Sequence, residues 1–377
     1  MPGCASGEAG SALAFLRSTF GHQQARLGRV ILLLDPVKVF LSLSRKSVCA
    51  ILLALAFLPG CGRGRGHVLE VMYVSAPQAF LRDRVAAVYN KTANVKNGDR
   101  LDVLDREKRF VKVRTASGAE GWIEQRFVVT QKVFDQFQVF TKEHQGDPSQ
   151  STGTTRNETN LHLEPGRDSE HLYQLPAGSK VSVLARGTAE KAGAVPAASP
   201  LAKKDKQPAG PVLEDWWLIR DAQGRAGWVL ARMVDLDVPL EIAQYAEGQR
   251  FVAFFTLNEV QDGDKKVPQY LALLTDPKDG QPFDYDKVHV FTWNVKRHRY
   301  ETAYRERNLN GVLPVTVTHE DFGKEGDLPV FVLRVKDDSG NVAERKYKMN
   351  TPMVRRVVAP GEEPVKSATA SNKKRRR

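Results

Sequence analysis

The residues of this 377-residue chain that could do chemistry are few, and most are placed poorly for it. His289, His298 and His319 beside Glu320 are the histidines of the C-terminal third. Zinc needs ligands that converge, as His-x-x-Glu or His-x-x-x-His do on one face, and none of the three shows such spacing. There is no Gly-x-Ser-x-Gly and no phosphate-binding glycine loop. The cysteines are Cys4, Cys49 and Cys61, so everything after Cys61 lacks both a disulfide and a thiolate nucleophile. Asp262-Gly263-Asp264 and Asp337-Asp338 lack the terminal acidic ligand of a calcium loop and read as turns. No metal, no cofactor and no enzymatic activity are expected. What remains is binding chemistry. Trp216 and Trp217 are adjacent, and neighbours on a strand face opposite sides. Both therefore cannot be core, and one is expected to be exposed or covered by the insertion that precedes them in the chain. Arg297, Arg299, Tyr300 and Arg305 form a basic-aromatic cluster. It reads either as a solvated hairpin tip or as a site for an anionic partner such as a phosphorylated head group or an acidic wall polymer.

Charge sets the next limit. Of the net +12, residues 1–66 carry +6 and residues 351–377 another +6, which leaves the middle balanced. A nucleic-acid binder carries its positive charge on the fold, so nucleic acid is not expected as a partner. The N-terminal charge precedes an apolar run. Arg45-Lys46 leads into Ile51 to Leu58, a stretch too short to span a bilayer and suited to a signal sequence. It ends Leu58-Pro59-Gly60-Cys61, which resembles the bacterial lipobox. The resemblance implies that residues 1–60 are a lipoprotein signal segment, with the translation start left open. It also implies lipidation at Cys61, a membrane partner through the lipid anchor, and a place in the cell envelope. Gly62 after the cysteine favours the outer membrane, periplasmic face.

Two segments repeat. Leu81-Arg82 and Gly98 to Leu104 match Leu161-His162 and Gly178 to Leu184 at an offset of 80. Phe110 to Val113, Gly118 and Gly121-Trp122-Ile123 match Trp216 to Ile219, Gly224 and Gly227-Trp228-Val229 at an offset of 106. The second copy thus carries an Ala/Pro/Lys-rich insertion, assigned to 187–210, whose composition predicts disorder. Within each copy, apolar residues such as Leu101, Val103, Val111 and Val113 alternate with polar ones, the period of a half-buried strand. The Gly-x-x-Leu/Val-x-Val-Leu and Gly-x-x-Gly-Trp-aliphatic patterns resemble the bacterial SH3 domain. By this reading residues 67–130 and 155–236 are two small SH3-like barrels, the second being the better copy. Trp122 and Trp228 would close the barrel cores. The family's grooves bind wall peptides or glycans, or pack on a partner domain.

The 131–154 linker places Val133, Phe134, Phe137 and Phe140 on one helical face. Residues 240–350 predict seven short antiparallel strands in a barrel or sandwich, with turns at Asp262–Asp264, Asp276–Gly280, Asn308–Gly311 and Asp337–Gly340. Residues 351–377 predict a disordered basic tail. The fold class is all-β. The function this implies is a membrane-anchored binding or scaffolding lipoprotein for peptidoglycan or an envelope protein. An accessory or unrecognised wall hydrolase and a structural spacer are the alternatives.

Overall fold

The computed structural model describes residues 67–193 and 211–358. Cys61, residues 194–210 and residues 359–377 lie outside them. Within Gly66–Arg377, a single compact unit, three seven-stranded antiparallel sheets follow one another.

The first sheet contains β1 (Glu70–Val74), β2 (Gln78–Arg82), β3 (Lys91–Lys96), β4 (Arg100–Glu107), β5 (Phe110–Thr115), β6 (Glu120–Glu124) and β7 (Val128–Thr130). Their order is β3-β2-β6-β5-β4-β1-β7. The second contains β8 (Ser151–Thr155), β9 (Thr159–His162), β10 (His171–Leu175), β11 (Lys180–Glu190), β12 (Leu213–Asp221), β13 (Ala226–Leu230) and β14 (Val234–Leu236). Its order, β10-β9-β13-β12-β11-β8-β14, is the same seen from its own first strand. The repeat read from the sequence is thus a repeat of topology. Neither sheet closes: β7 and β14 are three residues long and pair with β1 and β8 alone, too short to bridge to the far edge. The two expected barrels are open sheets.

The Gly-Trp motif has a steric cause. A Cβ on Gly121 would lie 2.7 Å from Leu81 Cβ and 2.9 Å from the Arg82 carbonyl oxygen, and one on Gly227 would lie 2.7 Å from Leu161 Cβ. Glycine lets β6 cross close over β2, and β13 over β9. The following tryptophans do not close the cores. Trp122 and Trp228 are half-buried on the outer face, and Ile123 and Val229 take the inner positions. The first sheet keeps its own core, with Met72, Leu81, Leu101, Val103, Val111, Val113 and Ile123 in one cluster.

A helix, α1 (Gln131–Glu143), forms where the aromatic spacing predicts it. Phe137 is fully buried and meets Tyr173 edge-on at 5.7 Å, while Phe134 stacks on Tyr73 at 3.9 Å. Burying Phe137 is worth about 2–3 kcal/mol. The helix so mortars the first sheet to the second, and Asn97 adds a direct bond to the Leu172 carbonyl at 2.7 Å.

The third sheet runs β15 (Arg250–Asp262), β16 (Lys265–Thr275), β17 (Tyr285–Asn294), β18 (Arg299–Asp321), β19 (Asp327–Lys336), β20 (Val342–Asn350) and β21 (Met353–Val357) in sequence order. It is one open meander, neither a closed barrel nor a second layer. Two of the expected strands are in fact one. β18 continues through Asn308–Gly311, where Asn308 turns to φ +58° and the chain bulges without reversing. Gly311 is required there by the Tyr285 ring, since an added Cβ would lie within 2.2 Å of it. The segment expected to begin a disordered tail instead forms β21, which pairs along β20 and packs Val354 against the core. Likewise β11 runs to Glu190 opposite Leu213, so the chain leaves the second sheet later than residue 187.

The second sheet and the meander share one apolar cluster that includes Trp217, Leu271, Val288, Phe331 and Tyr347. A buried ionic knot crosses the same boundary. Asp215, 1% exposed, binds Arg186 Nη2 and Arg250 Nη2 at 2.5 Å each and accepts from the Gly280 amide at 2.9 Å. Arg186 also donates to the Phe283 carbonyl at 2.7 Å. Burial raises the Asp215 pKa, but Arg186, the Gly280 amide and Arg250 outweigh it, and the carboxyl stays below its ordinary value.

Candidate functional site

The structure scatters the residues singled out in the sequence. Trp216 and Trp217 point to opposite faces of β12, as strand geometry requires, yet both are buried. β12 is an interior strand, with Trp217 in the shared core and Trp216 covered on the other face by His162, whose ring lies edge-on at 5.3 Å. Of the two alternatives expected, exposure is excluded for both residues. The basic-aromatic cluster is likewise largely spent within the fold. Arg297 and Arg299 both pair with Glu301, at 3.0 and 3.2 Å, and Arg305 pairs with Glu247 at 3.0 Å. Tyr300 is in the core beneath, its hydroxyl donating to the Pro268 carbonyl at 2.8 Å. The turn itself, Val295 to His298, is a hairpin tip, but Arg305 stands further along β18, opposite His289.

A site that the sequence did not reveal lies on the first sheet. β2 ends in Arg82, and the loop after it is tied back by Asp83. That carboxylate accepts from the Asn90 amide at 2.9 Å and from the Asn90 side chain at 3.1 Å. The Arg84 guanidinium, then the Asn90 amide, hold the Asp83 pKa down to about 2, so the clasp is ionised at any physiological pH. The clasp brings Tyr89 back over Arg82, whose guanidinium lies 4.2 Å from the Tyr89 ring centroid and 5.1 Å from that of Phe110. Tyr89 and Phe80 stack at 5.8 Å, and Lys91 Nζ sits 4.4 Å over Phe80. On the far side the two-residue turn Lys108-Arg109 joins β4 to β5. Arg82, Val85, Ala86, Ala87, Lys108, Arg109 and Phe110 surround a cleft of about 570 Å³.

The electrostatics favour an anion. Arg82 is neutralised by Glu124 at 2.9 Å, which fixes its orientation. Among the described residues no carboxylate lies within ion-pairing reach of Lys91, Lys108 or Arg109, so Lys108 and Arg109 stand unneutralised at the cleft and Lys91 over the adjacent Phe80 ring. Such a groove takes a carboxylate or similar anion whose remainder is apolar or planar. Only long-range convergence assembles it: Phe80, Arg82, Tyr89, Lys91 and Phe110 come from four segments with no common spacing. No grouping of histidine, cysteine, aspartate or glutamate suited to a metal occurs among the described residues.

Comparison with known proteins places this groove. Residues 78–129 match the bacterial SH3 domain family. The match covers β2 to β7 of the first sheet and includes most of the groove. It does not extend to the second sheet, although that copy keeps the tryptophan of the pattern at Trp216. No curated protein matches the chain. Among solved structures, an NlpC/P60 family protein from Bacillus cereus aligns over 50% of this chain and 65% of its own, at 9% identity and a TM-score of 0.21. The chain thus spans less than two thirds of that protein. NlpC2 from Trichomonas vaginalis aligns over 76% of this chain and 95% of its own, at 12% identity and a TM-score of 0.15. NlpC1 from the same organism aligns over 63% and 92%, at 11% identity and a TM-score of 0.15.

Proposed function

We propose that the chain is a lipid-anchored envelope protein that binds cell-wall material through the Arg82 groove and acts as a binding or scaffolding module without chemistry of its own. The observation that carries the reading is the groove within a bacterial SH3 domain: two unneutralised cations, Lys108 and Arg109, beside the Phe110 floor, and a third, Lys91, over the neighbouring Phe80 ring. Peptidoglycan stem peptides offer carboxylates beside short apolar side chains, the ligand chemistry this groove suits. Acylation of Cys61 would hold the protein at the bacterial outer membrane, periplasmic face, nine residues before β1 begins at Glu70. Among the described residues no helix is long and apolar enough to cross a membrane.

The test is co-sedimentation with isolated peptidoglycan. The protein should pellet with it, and binding should weaken as salt screens the rim over the Debye length of about 8–10 Å. The double variant Lys91→Ala/Arg109→Ala should lose at least tenfold in affinity with its melting temperature unchanged, since neither side chain is buried. Full binding by that variant, or none by the parent protein, overturns the reading.

A further inference from the structure

The first and second sheets place corresponding residues at the groove. Arg82 lies opposite Trp122 between β2 and β6, and His162 lies opposite Trp228 between β9 and β13. Two residues on, Phe110 pairs with Glu124 as Trp216 pairs with Leu230. Thus Arg82 and Phe110 of the open groove become His162 and Trp216 in the second sheet.

There the chain covers its own floor. The segment Leu163–Glu170 leaves β9 and returns to β10, held by the Leu163 amide on the Glu170 carbonyl at 3.0 Å and by His162 Nδ1 at 3.0 Å from the Ser169 carbonyl. Arg167 on this loop grips Glu214 through Nε at 2.8 Å and Nη2 at 2.6 Å. Glu214 is two residues before Trp216 and on the same face. On the other side, Pro165 packs over Gly187, which stands opposite Trp216 in the ladder; a Cβ there would lie 3.0 Å from Pro165 Cγ and 2.8 Å from Trp228 Cζ3. Trp216 is left 2% exposed. Its indole nitrogen is buried with no acceptor, an arrangement that costs about 1–3 kcal/mol against a satisfied one. A structural tryptophan normally finds a partner for that N–H.

We propose that Leu163–Glu170 is a latch over a second ligand groove, fastened by Arg167 and Glu214, whose floor takes an uncharged ligand with an exposed acceptor oxygen, such as a sugar ring. Where the first groove presents cations, this floor presents the Trp216 ring and its unpaired donor, flanked by His162, whose ring lies 5.4 Å from that of His171. The two imidazoles are kept neutral at physiological pH, first by burial. An aromatic face with one free N–H suits a neutral, hydroxyl-bearing ring, and it does not suit an anion. The latch is separate from what the first groove binds and stands or falls by itself.

The experiment reads the Trp216 indole N–H by nuclear magnetic resonance in the full chain. In the unmodified protein, hydrogen exchange at Trp216 Nε1 should proceed by local opening, at least tenfold faster than exchange at the neighbouring β12 amides. Arg167→Ala should speed it at least a further tenfold. The same variant should bind triacetylchitotriose at least tenfold more tightly than the parent protein, with shifts at Trp216 and none at Phe110. Exchange at Trp216 that follows global unfolding in the parent protein overturns the latch, with no variant required. Faster exchange in Arg167→Ala without gain of saccharide binding overturns the assigned ligand.

Discussion

Replacing His289 with leucine isolates one buried titration. His289 lies on β17, is fully buried, and meets Phe291 edge-on at 5.8 Å. Neither ring nitrogen has a hydrogen-bond partner among the described residues. Burial, then the positive charge of Arg305 across the ladder, lowers its pKa from 6.5 to about 4, and Glu247 offsets only part of this. Between those values the unfolded chain holds a proton that the folded chain has given up. Stability contributed by neutral His289 is therefore complete above pH 6.5 and is lost as pH falls toward 4. The whole shift corresponds to roughly 3 kcal/mol, of which about 2 kcal/mol is lost by pH 5. Leucine has similar bulk and no proton to gain. Urea unfolding followed by far-ultraviolet circular dichroism, at pH 8 and pH 5, measures the effect in parent and variant. The variant should be at least as stable at pH 8, because two unsatisfied nitrogens are gone. Its loss between pH 8 and pH 5 should be smaller than the parent's by about 2 kcal/mol. Equal losses in the two proteins would refute the reasoning, since His162 and His171 titrate in both.

Asp215→Ala leaves Arg186 buried and unpaired at the boundary between the second sheet and the meander, and should cost about 3–5 kcal/mol in thermal or chemical unfolding. A loss under about 1 kcal/mol would mean that the knot is not holding that boundary. Gly311→Ala drives a methyl into the Tyr285 ring and should destabilise by about 1–3 kcal/mol, and adding Tyr285→Leu should recover part of that loss rather than add to it. Cys61→Ser should shift the protein from the membrane to the soluble fraction on cell fractionation, because acyl chains contribute ~0.8 kcal/mol per buried CH₂. Membrane retention of that variant would rule out the anchor.

The elements that local pattern alone determines were legible from the residues. Leu101, Val103, Val111 and Val113 alternate, and all four are core. Val133, Phe134 and Phe137 share a helical face, and α1 forms there. The glycines before Trp122 and Trp228 marked the repeat because a close strand crossing needs them. What local pattern misread were positions decided by distant partners. Asn308–Gly311 has the composition of a turn, but Tyr285, more than 20 residues earlier, occupies the space a side chain at 311 would need. That one of Trp216 and Trp217 must leave the core follows from a strand having two faces; nothing near them in sequence announces that Leu163–Glu170 folds over the Trp216 face. Arg305 read as part of a cationic cluster, and Glu247, far upstream, neutralises it. The Arg82 groove was missed for the same reason, since its walls meet only once β2, β3, the Asp83–Asn90 loop and β5 are assembled.

The position of β1 bears on how the molecule would carry load. In the first sheet β1 lies between β4 and β7, paired on both sides, although it is the first of the described strands. β21, the last of the described strands, is an edge strand held by β20 alone. Tension entering from the N-terminal side cannot peel β1 from a margin and must rupture two ladders together. Tension from the C-terminal side can unzip β21 one hydrogen bond after another. The described strands are thus mechanically polar, resistant where the chain enters at β1 and yielding where it leaves at β21.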